Sequence, residues 1–124
     1  MTAMVMVMVI DDSITVRMQA GRALADAGYK VVEAADGHDA LEKLGSGDVV
    51  SLIFCDVNMP GMSGLDFLTA LAERGTTMPP VVMLTTEGHP KQIQQAKASG
   101  AKGWMMKPFK PELLIAAARK LIAA

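Results

Sequence analysis

Cysteine is nearly absent from this chain, and its basic residues form no run. The single cysteine, Cys55, excludes an internal disulfide. Lys and Arg number 12 against 13 Asp and Glu, which gives a net charge of −1. Without a basic run, the sequence lacks the usual feature of a nucleic-acid-binding arm or a polybasic membrane tether. We therefore expect neither nucleic acid nor membrane as a direct partner.

Long apolar runs and clusters of soft metal ligands are also missing. The apolar run at residues 4–10 is too short to span a membrane and lacks the charged flank of a signal peptide. His38 and His89 stand apart from any second ligand, so we expect surface histidines and no zinc site. We find no internal repeat or linker in the 124 residues. The sequence predicts one cytoplasmic domain over residues 1–124, with no output domain.

What the chain does contain is a regular alternation of apolar runs and helical patterns. Residues 4–10 are continuously apolar and rich in valine, as in a strand buried on both faces. We expect strands at residues 4–10, 29–34, 49–55, 81–84 and 102–106, and helices at residues 13–27, 37–44, 65–73, 90–98 and 111–122. This alternation predicts an α/β fold, a doubly wound parallel sheet of five strands with helices on both faces.

Apolar stripes predict which side of a helix packs on the sheet. The first helix is expected to begin after a Ser13 cap and to pack through Ile14, Met18, Gly21 and Ala25. The last helix is expected to pack through Leu113, Leu114, Ala117 and Leu121. The methionines of the first strand and Cys55 are interpreted as core residues.

Polar side chains follow four of the five predicted strands. They are Asp11, Asp12, Asp56, Thr85, Thr86 and Lys107. The carboxyl ends of parallel strands meet at one edge, where doubly wound folds bind their ligands. Three carboxylates there repel each other unless a cation neutralises them, and hard oxygen ligands favour Mg²⁺, with Mn²⁺ as the second choice. With the metal bound, Asp56 can act as a nucleophile toward phosphorus, with Thr85 and Lys107 on the phosphoryl oxygens.

Four motifs at these strand ends carry a family resemblance. They are Asp11-Asp12-Ser13, the Asp-Val-Asn-Met-Pro-Gly-Met-Ser-Gly stretch at 56–64, Thr85, and Lys107-Pro108-Phe109. In this order they resemble the receiver domain of response regulators in bacterial two-component signalling, and they are most similar to the stand-alone chemotaxis regulators. The resemblance covers the whole chain. It implies a flavodoxin-like sheet with strand order 2-1-3-4-5.

The resemblance also implies roles for the acidic residues. Asp56 would accept a phosphoryl group from a phosphohistidine on a sensor histidine kinase or histidine phosphotransferase. Asp12, Asp56 and the main-chain carbonyl of Asn58 would hold Mg²⁺, with Asp11 reaching it through water. In the family the bond that corresponds to Lys107–Pro108 is cis.

Switching and signal lifetime are expected from the same resemblance. Thr85 and Lys107 would bind the phosphoryl oxygens, and movement of Thr85 would open a space that an aromatic residue of the fifth strand can enter. The family usually has Tyr or Phe at that position, whereas this chain has Trp104. Asn58 and Glu87 match positions that tune dephosphorylation.

Three functions remain open at this point. The first is a monomeric signalling switch that catalyses only its own phosphorylation and dephosphorylation and binds a separate target, such as a flagellar motor component. The second is a small Mg²⁺-dependent phosphohydrolase or phosphotransferase with an aspartyl-phosphate intermediate, although such enzymes commonly carry a second acid where this chain has Asn58. The third is a phosphate sink. A flavin site is disfavoured because no Gly-rich phosphate loop follows the first strand.

Overall fold

Five strands and five helices alternate along the chain. A computed structural model describes residues 5–47, 49–74, 78–86 and 90–122. The strands are β1 (Met6–Ile10), β2 (Lys30–Ala34), β3 (Leu52–Asp56), β4 (Val81–Thr85) and β5 (Gly103–Met106). The helices are α1 (Ile14–Asp26), α2 (Gly37–Gly45), α3 (Gly64–Glu73), α4 (Pro90–Ala98) and α5 (Pro111–Ile122). All strand pairs are parallel and the sheet order is β2-β1-β3-β4-β5, which confirms the predicted fold and strand order.

The central strands are buried on both faces because helices cover both sides of the sheet. In β1, Val7 and Val9 pack with residues of α1 and α5, whereas Met8 and Ile10 pack with residues of α2, α3 and α4. All four side chains are fully buried, as the continuous apolar run predicts. Among the helices of the described ranges, none is long and apolar enough to cross a membrane.

The inward face of α1 differs from the predicted stripe. Ile14 and Met18 are 64% and 63% exposed, whereas Ala20 and Leu24 are fully buried. Arg17 lies near the buried side and donates a hydrogen bond to a main-chain carbonyl in the turn after β1. Ala20 and Leu24 pack in one cluster with side chains of β1 and α5, and this packing sets which row of α1 faces the sheet. The prediction from the apolar stripe is therefore wrong at Ile14, Met18 and Ala25, whereas Gly21 is partly buried beside Val31 of β2.

Two smaller expectations are also wrong. Leu113 of α5 is 53% exposed, whereas the rest of the predicted side is confirmed, with Leu114 fully buried and Ala117 and Leu121 packed against the same core. Val49 is 82% exposed and precedes β3 instead of opening it. The reason is register, since pairing of β3 with β1 begins at Val7 opposite Leu52. A hydrophobic side chain beyond the end of the ladder gains no cover from neighbouring strands.

Candidate functional site

The predicted rim residues lie together at the carboxyl end of the sheet. Asp56 is the last residue of β3 and pairs with Leu84 of β4. Asp11 and Thr85 are fully buried and Asp56 is 5% exposed, whereas Asp12 is exposed to solvent. The main-chain N–H of Lys107 donates to the Thr85 carbonyl at 2.7 Å. The sheet therefore brings residues from four separate strand ends to one site.

Lys107 joins two of the carboxylates. Its Nζ atom donates to Asp11 Oδ2 at 2.5 Å and lies 3.1 Å from Asp56 Oδ1. The Lys107 side chain is only 13% exposed, and the side chains of Asp11 and Asp56 are 0% and 6% exposed. Charged groups at this depth persist only when they are paired. The lysine thus supplies part of the compensation that burial of the two acids requires.

Asp11 is held by hydrogen bonds at both its main chain and its side chain. Its N–H donates to the Ala34 carbonyl at 3.1 Å, which continues the pairing of β1 with β2. Its Oδ1 atom accepts from the Ser13 N–H at 2.9 Å. With Lys107 on Oδ2, both carboxylate oxygens have protein partners. Asp11 is therefore fixed in orientation before any ligand binds.

Burial and like charge leave the site short of positive charge. Burial raises the pKa of Asp56 above its usual 3.8, and the neighbouring Asp11 raises it further, against the opposing hydrogen bond from Lys107. Burial by itself would lower the pKa of Lys107. Its hydrogen bonds to Asp11 and Asp56 outweigh that effect and hold the pKa above 10.5. A further cation would favour the ionised form of Asp56.

Three carboxylates offer such a cation a binding site. Oxygen atoms of Asp11, Asp12 and Asp56 lie within 4.8 Å of one another. Their hard oxygen donors suit Mg²⁺ or Mn²⁺, and the exposed Asp12 opens the cluster to solvent. Asn58, whose carbonyl completes the expected ligand set, is exposed in the loop directly after β3. The residues present therefore fit the magnesium that the sequence predicts.

The loop from β3 to α3 is shaped by the end of the 56–64 motif. Ser63 and Asp66 form a reciprocal capping box, with hydrogen bonds of 3.1 and 3.3 Å between each side chain and the other residue's N–H. The Gly64 N–H donates to the Val57 carbonyl at 2.8 Å. These contacts draw the start of α3 against the end of β3. The second half of the motif thus forms the turn that places Asp56.

Gly64→Ala is expected to lower the free energy of unfolding by about 2–3 kcal/mol. A β-carbon at this position would overlap the Asp56 carbonyl oxygen and lie 2.9 Å from Val57 Cα, and neither main-chain atom can rotate away. Gly37→Ala is the matched control, because its nearest atom is the flexible Met62 Sδ. Urea unfolding of both variants measures the difference, and equal losses would contradict the proposed close approach.

Trp104 lies on β5 opposite Met83 of β4 and is half-buried against the core between the sheet and α2, α3 and α4. Its Nε1 atom is buried and has no hydrogen-bond partner in the described part of the chain. A buried N–H without an acceptor costs free energy, so this ring position is not fully satisfied.

Glu87, which with Asn58 is expected to tune dephosphorylation, lies outside the described residues, as does His89.

Two local predictions outside the chemistry are confirmed. The Lys107–Pro108 peptide bond is cis. Cys55 is fully buried next to Asp56, and burial raises the pKa of its thiol far above the usual value. The thiol therefore stays protonated and packs as a small apolar group.

Sequence reasoning assigned no role to Arg17. The structure places its Nη1 atom 2.6 Å from the Asp11 main-chain oxygen and its Nε atom 3.2 Å from Glu33 Oε1. One signal was present in the sequence, because a cation in the first turn of a helix with no acid there opposes the helix dipole. Such a residue needs a tertiary partner.

Comparison with known proteins identifies the family. Residues 7–119 match the response regulator receiver domain. Chemotaxis protein CheY1 of Helicobacter pylori is 36% identical over 109 residues, which cover 86% of this chain and 88% of that protein. Chemotaxis protein CheY of Pseudomonas aeruginosa is 38% identical over 110 residues, which cover 87% and 88%. The solved structure of Vibrio cholerae chemotaxis protein CheY4 is 42% identical with a TM-score of 0.90, over 96% of this chain and 99% of that one.

The family match begins at Val7, within β1, and extends over the other four strands and the four strand-end motifs. The similar solved structure has the same fold, and the matches confirm the resemblance drawn from the motifs. The chain therefore belongs to the response regulator receiver domain family and is related to the chemotaxis regulators.

Proposed function

We propose that this protein is a response regulator that accepts a phosphoryl group on Asp56 from a histidine kinase or histidine phosphotransferase and then binds a target protein. The observation that carries the proposal is the position of Lys107 Nζ, within hydrogen-bond distance of both Asp11 and Asp56 at the edge of a three-carboxylate cluster. Proteins of this family are signalling switches, for which a kinase and a target are the expected partners.

Phosphoryl transfer would proceed by attack of an Asp56 carboxylate oxygen on phosphorus. A phosphorus–oxygen bond forms, the phosphorus–nitrogen bond of the donor phosphohistidine breaks, and the imidazole leaves with the electron pair and takes a proton from solvent. Lys107 orients the carboxylate through Oδ1. Mg²⁺ held by Asp12, Asp56 and the Asn58 carbonyl, with Asp11 reaching it through water, would neutralise charge on the carboxylates and on the transferring group.

After transfer, Thr85 and Lys107 would hold the phosphoryl oxygens. Thr85 is the last residue of β4 and Lys107 directly follows the neighbouring β5, with the Lys107 N–H donating a hydrogen bond to the Thr85 carbonyl. A phosphoryl group brings about −1.5 to −2 charges into the site. This charge would draw the Thr85 hydroxyl and the Lys107 ammonium toward it and shift the conformational equilibrium at the neighbouring ends of β4 and β5.

The fluorescence of Trp104 would detect this conformational change. As the only tryptophan of the chain, it makes intrinsic fluorescence specific for β5. We expect Mg²⁺ and acetyl phosphate to change its emission in sequence, because the buried N–H without a described acceptor leaves the ring free to gain a better environment by moving. Emission that stays constant through both additions would contradict a switch role for Trp104.

Asn58 and Glu87 are proposed to set the lifetime of the aspartyl phosphate. Asn58 is exposed two residues after Asp56, where its side chain can guide or exclude water. The polarity of both positions favours a short-lived signal. The named relatives are chemotaxis proteins, which supports a target in chemotaxis or motility. The cytoplasmic location, the monomeric state and the absence of an output domain stay predictions.

The test is incubation of the protein with Mg²⁺ and acetyl phosphate, with omission of Mg²⁺ as one control. An acyl phosphate resists acid and is cleaved by base, so a label with this stability on Asp56 is the expected result. Failure to form it would overturn the proposal. Steady turnover of phosphomonoesters would instead favour the phosphohydrolase, and a labelled protein that binds no target but drains a phosphorylated kinase would favour the phosphate sink.

A further inference from the structure

Arg17 connects the acidic cluster to the edge of the sheet. Its Nη1 atom donates to the Asp11 main-chain carbonyl at 2.6 Å, and its Nε atom donates to Glu33 Oε1 at 3.2 Å. The guanidinium side chain is only 15% exposed, whereas the Glu33 side chain is 47% exposed. Of the two hydrogen bonds that the guanidinium group makes, the one to the Asp11 carbonyl is thus the more buried.

The location of this arginine is unfavourable for helix stability alone. It stands in the first turn of α1, where the N-terminal partial positive charge of the helix repels cations. The exposed ion pair with Glu33 is of a kind that contributes little, because solvent screens it. The contact that distinguishes Arg17 from an ordinary surface arginine is therefore its hydrogen bond to the Asp11 carbonyl.

That carbonyl belongs to the residue most completely fixed in the site. The N–H of Asp11 bonds to Ala34, and its two carboxylate oxygens bond to Ser13 and Lys107. Arg17 completes the set by occupying the remaining main-chain acceptor. Without it, the peptide plane between Asp11 and Asp12 loses its only described side-chain anchor, and the Asp12 carboxylate, which the other Asp11 contacts do not hold, moves with that plane.

We propose that Arg17 is a positioning residue for the magnesium site, acting through the peptide that joins Asp11 and Asp12. The inference rests on the proposed function, because it concerns the same carboxylates. Arg17 touches neither Asp56 nor Lys107 among the described contacts, so it sets the affinity for the metal without taking part in phosphoryl transfer. Groups that orient metal ligands from outside the ligand set have this effect generally.

The experiment separates metal affinity from the rate of transfer. The dissociation constant for Mg²⁺ is measured by calorimetry, and acetyl-phosphate labelling is followed at saturating Mg²⁺. We expect Arg17→Ala to raise the dissociation constant about tenfold, at the lower end of the range for such groups. The labelling rate at saturating Mg²⁺ stays within about twofold of wild type. Arg17→Lys restores part of the affinity, because a lysine can donate one hydrogen bond to the carbonyl.

Glu33→Gln and Arg22→Ala are the matched controls. Glu33→Gln removes the ion pair and keeps the carbonyl contact, and Arg22 is an exposed arginine of the same helix that makes no described contact with the acidic cluster. Each is expected to change the dissociation constant less than about twofold. Urea unfolding of all variants shows whether they fold, and a purely structural role would lower stability without this selective loss of affinity.

The outcomes distinguish the two proposals. Wild-type protein that neither binds Mg²⁺ nor becomes labelled would overturn the proposed function and this inference together. Wild-type protein that does both, with an unchanged dissociation constant in Arg17→Ala, would overturn only the role of Arg17. An equal rise in Glu33→Gln would also overturn it, since the ion pair and not the carbonyl contact would then be responsible.

Discussion

Asp56→Asn is expected to abolish labelling by acetyl phosphate and, at the same time, to stabilise the fold. The amide lacks the nucleophilic oxygen that the proposed transfer requires, and no other described carboxylate combines burial with a hydrogen bond to Lys107 except Asp11, whose two oxygens already have partners. Loss of labelling should therefore be complete. Undiminished labelling of the variant would place the acceptor elsewhere.

The gain in stability follows from the direction of the pKa shift. Burial and the nearby Asp11 raise the pKa of Asp56, so the folded state binds this proton more tightly than the unfolded state does. Wild-type protein therefore loses stability as pH rises from 3.8, the unfolded value, through the folded pKa. The asparagine side chain does not ionise and avoids that loss. At neutral pH without metal we expect a gain of about 1 kcal/mol.

Urea unfolding of wild type and Asp56→Asn at neutral pH and near pH 4 measures this effect. The difference between the two proteins should shrink on acidification, because protonated Asp56 resembles the amide in charge. Saturating Mg²⁺ should also reduce it, since the metal stabilises the wild type more. A difference that is independent of both pH and Mg²⁺ would show that packing, and not charge, separates the two side chains.

Burial on both faces made the sheet predictable from the sequence. The runs that became β1, β3 and β4 are apolar without alternation, and polar or turn-forming residues separate them from the helices, so few other folds fit. Which face of a helix packs on the sheet was harder to predict from the sequence. Ile14 and Met18 form as regular a row as Ala20 and Leu24, and only the tertiary contacts of α1 select the second row. The prediction that β3 begins at Val49 was wrong for a related reason, because strand register decides where β3 begins.

The residues that form the site could be predicted from the sequence for a geometric reason. Parallel strands place all their carboxyl ends at one edge, so Asp11, Asp56 and Lys107 could be brought together without coordinates. The particular oxygen atom that each donor contacts could not be predicted, since it depends on side-chain rotamers and on how deeply each side chain is buried. The role proposed for Arg17 has the same origin. Its partner carbonyl lies six residues back in the chain, and no periodic pattern marks that contact.

Lys107→Met is expected to lower the free energy of unfolding by about 3 kcal/mol at neutral pH without Mg²⁺. The methionine keeps an apolar stem of similar length but removes the ammonium from two carboxylates that are 0% and 6% exposed. The raised pKa of Lys107 fixes the sign of the pH dependence. Its stabilising contribution is fully present below 10.5, the unfolded value, and is lost as pH rises through the folded pKa.

Lys110→Met is the matched control for this substitution, because Lys110 is exposed three residues later and its ammonium has no described contact with the acids. Urea unfolding should separate the two variants at neutral pH. The difference in the free energy of unfolding between the two variants should become smaller in acid, where the carboxylates are protonated, and in alkali, where the lysine loses its charge.

Mg²⁺ should restore part of the lost stability in Lys107→Met, because a divalent cation can neutralise the same carboxylates. The labelling rate should still fall about 100-fold, since the metal replaces the charge of the ammonium but not its hydrogen bond to the phosphoryl oxygen. If Lys107→Met were as stable as Lys110→Met at every pH, the short contacts to Asp11 and Asp56 would contribute nothing net to folding, and the lysine would act only after phosphorylation.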